Sequence, residues 1–282
     1  SYEGFKAFYD TVYNNVYVTT LVHGNMLEQH AKQIKQNIDS IFSAGKLENL
    51  EMIKEQSYIL NDSYAFVHHL YNKQEEDSAI FNAYLVADLT NSQQAMLDLL
   101  YMEITESLLS PFAYKYLRTE RLLGYAVICS KFSAGMGVYL YVTIQGNKAS
   151  PEVMDNEIEA MLRTFRQTEL AAIGEQDFDQ LREGVADQLA AKDESLGDRS
   201  SRIWREIIYR NKDFYFRDKS IKQLDQLSLK GLIEFFDSKL VPIDVPQKKI
   251  SVQLYSVKAY PELPTSFTNA TTIYRSINYL SE

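Results

Sequence analysis

Apolar positions recur at helical spacing over Gly4–Tyr13, where Phe5, Phe8, Tyr9 and Val12 share one face. The β-branched run Val16–Val22 predicts a strand, closed by Gly24-Asn25. Met26–Phe42 returns to helical spacing through Leu27, Ala31, Ile34, Ile38 and Ile41-Phe42. Ser43–Ser57 is mostly polar, with Gly45, Glu48, Glu51 and Glu55, and predicts a linker. Three strands are then expected at Tyr58–Leu60, Tyr64–Leu70 and Ala79–Asp88. Their separators, Asn61-Asp62-Ser63 and Asn72–Asp77, carry turn chemistry, which reads as an antiparallel meander. Ser92–Ser110 is a helix with Met96, Leu99, Leu100, Ile104 and Leu108 on one face. Pro111 is expected to interrupt it and to open a second helix, capped by Ser110, that carries Tyr114 and Leu117 and stops near Gly124.

The strands Tyr125–Phe132 and Val138–Gln145 flank Ser133–Gly137 and predict a hairpin. Val138, Leu140, Val142 and Ile144 alternate with Tyr139, Tyr141, Thr143 and Gln145. Ser150-Pro151 reads as an N-cap with proline at the first helical position. The helix it opens aligns Met154, Ile158, Met161, Leu162 and Phe165. Further helices carry Phe178, Leu181, Val185 and Leu189, then Ile203, Trp204, Ile207 and Ile208, then, opened by Ser228, Leu232, Phe235, Phe236 and Leu240. A last strand, Ile250–Tyr255, alternates Ile250, Val252 and Leu254, and the tail to Glu282 reads as an extended wrap. A weak internal repeat relates Phe5/Phe8/Tyr9 and YVTTLVHG to Leu232/Phe235/Phe236 and ISVQLYS. The fold class expected is α+β, a mostly antiparallel sheet packed against several helices.

Composition narrows this reading without naming a function. The 282 residues are 45% hydrophobic and 24% charged, which excludes disordered and collagen-like classes. No apolar run is long enough for a membrane span, and Ser1–Asp10 does not read as a signal peptide. A net charge of −9 disfavours nucleic acid as a partner. The single Cys129 lies in an apolar run and is expected to be buried.

Candidate chemistry is sparse. Neither H-E-x-x-H nor H-x-x-E-H occurs, and His68-His69 on a strand point to opposite faces. His23 and His30 bracket Glu28 without zinc-site spacing. Ser133–Gly137 is a hairpin turn and no phosphate loop, and no Gly-x-Ser-x-Gly elbow is present. Glu75-Glu76-Asp77 and Glu157/Glu159 read as solvated. The informative segment is Leu117–Ala126, L-R-T-E-R-L-L-G-Y-A. Arg118 offers a planar fork of donors and Tyr125 a hydroxyl, and both could converge on a carbonyl or carboxylate. The plain alternative is a surface pair of Arg118 with Glu120 or Glu103.

This segment closely resembles the R-T-x-x-x-L-G-Y motif in the last domain of the insulinase/pitrilysin metallopeptidases, the inverted-zincin family. Leu21-Val22-His23-Gly24-Asn25 resembles the L-x-H-G-N strand end of that family's third domain, and Ile144-Gln145-Gly146 its I-Q-S. Trp204–Ile207, Phe216–Asp218, Leu227–Leu229 with Phe235-Phe236, and Pro264–Thr271 resemble its later signatures in order. The resemblance implies the end of a third domain over 1–45, a linker over 46–57, a complete fourth α+β domain over 58–256 and an extended tail over 257–282. It implies that zinc and the catalytic residues lie elsewhere in the parent enzyme, so that this chain holds no catalytic residue and no metal ligand. Arg118 and Tyr125 are the implied substrate-binding residues, hydrogen-bonding the peptide carbonyl or the developing oxyanion. The implied partners are peptide substrates and the N-terminal half of the same enzyme. The L-G-Y-A-V string is more similar to the bacterial pitrilysin branch, hence an expected periplasmic location, with cytoplasm the alternative. A non-catalytic scaffold of the same fold is the alternative function.

Overall fold

The computed structural model describes residues 1–13, 16, 18–42, 60–89, 92–209, 213–264 and 272–275. In chain order the elements are α1 (Tyr2–Tyr13), α2 (Glu28–Ile41), β1 (Ser63–His69), β2 (Ser78–Asp88), α3 (Ser92–Ala113), a π-helical segment (Tyr114–Glu120), β3 (Ala126–Ala134), β4 (Gly137–Gly146), α4 (Pro151–Gln167), α5 (Glu169–Ala172), α6 (Glu175–Ala190), α7 (Leu196–Tyr209), α8 (Phe216–Gln223), a 3-10 turn (Leu224–Gln226), α9 (Leu229–Lys239), β5 (Lys249–Tyr255) and β6 (Thr272–Arg275). Two compact units result: Ser1–Glu55 with Ala191–Phe216, and Gln56–Ala190 with Arg217–Glu282. The expected linker over 46–57 lies outside the described residues, as does most of the strand expected at Tyr58–Leu60.

In the first unit α1 forms where the apolar spacing places it, yet none of its residues is buried. Its aromatic rings meet one another instead, tilted from Phe5 to Tyr9 to Tyr13, with Tyr13 stacked on Phe42 beyond α2. The strand expected over Val16–Val22 is absent at the described residues 18–22. β-Propensity needs a neighbour to close the hydrogen-bond ladder, and this unit offers no strand among its described residues. The segment is anchored by a side chain: His23 shares a 2.7 Å hydrogen bond with Ser200 on α7. The proposed internal repeat therefore holds only in its second copy, where α9 does feed a strand, β5.

The second unit is built on a six-stranded sheet of order β3-β4-β2-β5-β1-β6. The expected meander is corrected here. β5 lies between β1 and β2, parallel to β1 and antiparallel to β2. Turn chemistry over Asn72–Asp77 dictates reversal of direction, not adjacency, and it leaves room for a third strand. The β3–β4 hairpin forms as expected across the two-residue turn Gly135-Met136, with Gly135 at φ +54. In the tail, Thr272–Arg275 pairs with β1 as β6.

One face of the sheet carries the main core. Val138, Leu140, Val142 and Ile144 of β4 and Val127 and Cys129 of β3 pack with Leu100, Ile104 and Leu109 of α3, the predicted stripe of α4, Phe178 of α6, and Leu232, Phe235 and Phe236 of α9. Ser150 and Ser228 cap α4 and α9, accepting from Val153 N and Gly231 N. Pro111 does not break α3: the helix runs through it to Ala113. Leu109, Ala113, Tyr116 and Leu117 are all buried in this core, and their packing outweighs the hydrogen bond that proline cannot donate.

The phase of β5 is opposite to the one its aliphatic residues suggest. Lys249, Ser251, Gln253 and Tyr255 are buried, whereas Ile250, Val252 and Leu254 are half-buried on the other face. The reason sits on α4, which turns Asp155 and Glu159 toward the sheet. Lys249 Nζ lies 2.6 Å from Asp155 Oδ1 and 2.7 Å from Glu159 Oε1. Asn82 donates to Asp155 at 2.6 Å and the Tyr84 hydroxyl to Glu159 at 2.9 Å. Glu159, read from the sequence as solvated, is thus a buried partner of a buried lysine.

Candidate substrate-contacting site

The segment that carries Arg118 is π-helical, Tyr114–Glu120. Its widened turn ends with Arg121 N donating to Tyr116 O at 3.0 Å, and Leu123 N then reaches Leu117 O at 3.1 Å. The second bond closes a tight loop, so the residue before Arg118 is tied to the residue two before Tyr125. Leu122 sits within this loop at φ +55, the non-glycine residue with positive φ among the described residues. A leucine there stores backbone strain, of order 1 kcal/mol. The helix stop expected at Gly124 is corrected: the turn is made at Arg121-Leu122, and Gly124 has another duty. A Cβ on Gly124 would meet Gln145 O at 2.2 Å, and one on Gly146 would meet Gly124 Cα at 2.6 Å. The two glycines let the chain press flat against the end of β4, where Tyr125 N donates to Gln145 O at 3.0 Å.

Two arginines three positions apart have opposite fates. Arg121 is fully engaged: it stacks on the Tyr116 ring, donates to the Tyr116 hydroxyl at 3.0 Å, and faces Glu157 at 3.3 Å. Arg118 is half-buried and makes no ion pair among the described residues. Its Nε is buried without a hydrogen-bond partner. The surface pairs weighed for it do not form, since Glu120 faces Lys115 and Glu103 faces Lys131. A buried guanidinium donor left without a partner costs free energy and calls for an explanation.

Tyr125 is 57% exposed. Its hydroxyl hydrogen-bonds Asp77, which raises the phenol above its ordinary range, with burial and the Asp77 and Glu75 charges adding to the effect. Asp77 immediately precedes β2, whose Ser78 is paired with Gly146, so strand register brings Asp77 to the same margin as Tyr125. Sequence reading missed Asp77, and 48 residues of separation leave no local signal for it.

Nothing in the described residues gathers three or more His, Cys, Asp or Glu side chains into a metal-binding group. His23 is bonded to Ser200, His30 Nδ1 accepts from Leu27 N, and His69 donates to Tyr260 O. These histidines, each held by a hydrogen bond of its own, do not fit a zinc site. Cys129 is buried as expected, and burial pushes its thiol up to about 12. It should therefore resist iodoacetamide in the folded protein at pH 8 and label only on unfolding. Rapid labelling without denaturant would contradict that environment.

Residues 104–204, which include the whole Arg118–Tyr125 segment, match the family model described as PQQ synthase PqqF-like, C-terminal lobe domain 4. The A-factor-processing enzyme of Saccharomyces cerevisiae is 24% identical over 86% of this chain and 23% of its own length. Human insulin-degrading enzyme is 24% identical over 88% of this chain and 24% of its own length. These matches make the chain similar, over most of its length, to insulinase/pitrilysin proteins. The crystal structure of pitrilysin shares the fold, with a TM-score of 0.72 at 23% identity over 90% of this chain and 26% of that one. The chain spans about a quarter of the length of the curated relatives it matches, and it corresponds to the C-terminal part of these insulinase/pitrilysin proteins. No described helix is long and apolar enough to cross a membrane.

Proposed function

We propose that this chain is the substrate-contacting C-terminal part of a zinc metalloendopeptidase acting on oligopeptides, and that Arg118 and Tyr125 hold the substrate backbone. The observation that carries the reading is the buried, unpartnered Nε of Arg118 at the foot of a strand. A guanidinium fixed there donates to a peptide carbonyl, and its grip strengthens as charge develops on that oxygen. Hydrogen bonding to Asp77 is the main cause that raises the Tyr125 phenol, which keeps its proton and points it toward that carboxylate. The phenol then offers lone pairs, so it accepts a peptide N–H while Arg118 takes a C=O. Metal-activated water belongs, in this reading, to the N-terminal half of the parent. The fourth-domain assignment of 58–256, the third-domain origin of 1–45 and the bacterial periplasm as the compartment are parts of the same proposal.

The test uses the full-length parent. Arg118→Ala should lower kcat/KM about 100-fold, the loss typical of one preorganised donor, with the melting temperature unchanged. Unaltered kinetics would remove Arg118 from the site. The chain alone should bind unfolded peptide and cleave none. A parent without H-x-x-E-H would instead make this fold a non-catalytic scaffold.

A further inference from the structure

We propose that Leu122 is a specificity-determining residue of the substrate site, selecting peptides with a large apolar side chain within one or two residues of the carbonyl that Arg118 takes. The inference rests on the Arg118–Tyr125 reading and adds to it a preference among peptides.

The turn that ends the π-helical segment needs a residue in the left-handed conformation, and Leu122 supplies it at φ +55. Glycine or asparagine fills such a place at least cost, because a Cβ there crowds the following carbonyl. The fold offers nothing to offset the strain of a leucine. A helix stop of this kind is fastened by apolar residues in the last helical turn and just past the left-handed position. Leu117 and Leu123 hold those two places, and both belong to the buried core. The hydrogen bond that closes the turn, Leu123 N to Leu117 O, is made by backbone alone. Leu122 by contrast is 61% exposed. Strain kept at an exposed position, for a side chain the core does not use, points to a use for that side chain outside the fold.

Its place in the chain is the second observation. Leu122 lies in the tight loop between Arg118 and Tyr125, four residues after one and three before the other. The charged neighbours in that loop are engaged elsewhere, Glu120 with Lys115, and Arg121 with Tyr116 and Glu157. The apolar surface of Leu122 is therefore left beside the open Nε of Arg118. A peptide whose carbonyl meets that Nε runs across the loop, and its neighbouring side chain covers Leu122. An aliphatic or aromatic side chain removes apolar surface from water on both partners, whereas a charged one gains nothing there. Covering about half of a leucine is worth roughly 10-fold in affinity.

The probes are labelled, unstructured peptides of glycine, serine and glutamine that differ only at one central residue, leucine, alanine or aspartate, titrated against this chain by fluorescence anisotropy. The leucine peptide should bind about 10-fold more tightly than the aspartate peptide. Leu122→Gly should narrow that gap to about 2-fold while the melting temperature holds or rises, because glycine relieves the left-handed strain. Leu122→Asn, which also tolerates this conformation, should narrow it equally, which assigns the loss to the missing side chain and not to a slackened backbone. Leu122→Met should keep the gap, and Arg118→Ala should weaken all three peptides alike. An unchanged gap in Leu122→Gly and Leu122→Asn, or equal affinities for the three peptides in the unaltered chain, would overturn the role of Leu122 and leave Arg118 standing. A melting temperature lowered by several degrees in both variants would show that the fold itself uses the leucine, and would overturn the role as well. No binding of any of the peptides at millimolar concentration, or an Arg118→Ala chain that binds all three as before, would overturn both readings.

Discussion

Lys249→Met is expected to destabilise the second unit by about 3–5 kcal/mol, the cost of leaving buried charge without its partner. Lys249 is fully buried and sits between Asp155 and Glu159, which also accept from Asn82 and Tyr84. Against a typical total of about 5–15 kcal/mol, that loss should lower the melting temperature by on the order of 10 °C. The variant Lys249→Met with Asp155→Leu and Glu159→Leu should recover much of it, because removing the whole charged group also removes its desolvation cost. A single variant that melts within a degree or two of the parent protein would show that the network does not bear on stability. The pH dependence follows in sign. Burial alone would pull the Lys249 ammonium down, but Glu159 and Asp155 together outweigh it, and its pKa lies above the ordinary lysine range. The ion pairs' contribution is fully present below the unfolded lysine pKa, about 10.4, and is lost as pH rises through the higher folded value. Chemical denaturation from pH 7 to pH 11 should show stability falling only at the alkaline end.

Gly124→Ala should cost about 3 kcal/mol, the upper end of overpacking effects. The added methyl would lie 2.2 Å from Gln145 O and 2.8 Å from Gln145 C, both backbone atoms that no rotamer change can move aside. Relief requires the chain to lift from β4, which breaks the Tyr125 N to Gln145 O bond at the head of β3. Peptide binding should therefore fall together with stability, whereas Arg118→Ala should affect binding alone. A Gly124→Ala protein with wild-type melting and wild-type peptide affinity would mean that the margin is pliable and the close approach dispensable. Leu122 is the useful contrast, since its positive φ is a backbone matter and its side chain is exposed.

Much of the second unit was legible in its periodicity. The β4 alternation, the α4 stripe, the Ser150 and Ser228 caps and the β3–β4 hairpin all depend on residues within a turn or two of one another, and local chemistry decides them. Arg118 and Tyr125 stood out because a motif of eight residues spans one helix end and one strand start. Pro111 and Gly124 misled for one reason: each has a strong local meaning, and core packing around α3 and the close approach to Gly146 overrode it.

The sequence by itself determined the α+β class and most of the order of helices and strands in the second unit, and it singled out Arg118–Tyr125 as a candidate segment. Only the tertiary structure decided that β5 inserts between β1 and β2, and that β5 buries its polar phase over Asp155 and Glu159. It also decided that 18–22 stays out of any sheet, that Asp77 meets Tyr125, and that Arg118 Nε is left open. Alternation along a strand states that two faces differ, and a β-branched run states that a strand is favourable. Neither states which partner stands opposite, and hydrogen bonds and ion pairs exist only once that partner, far away in the chain, has arrived.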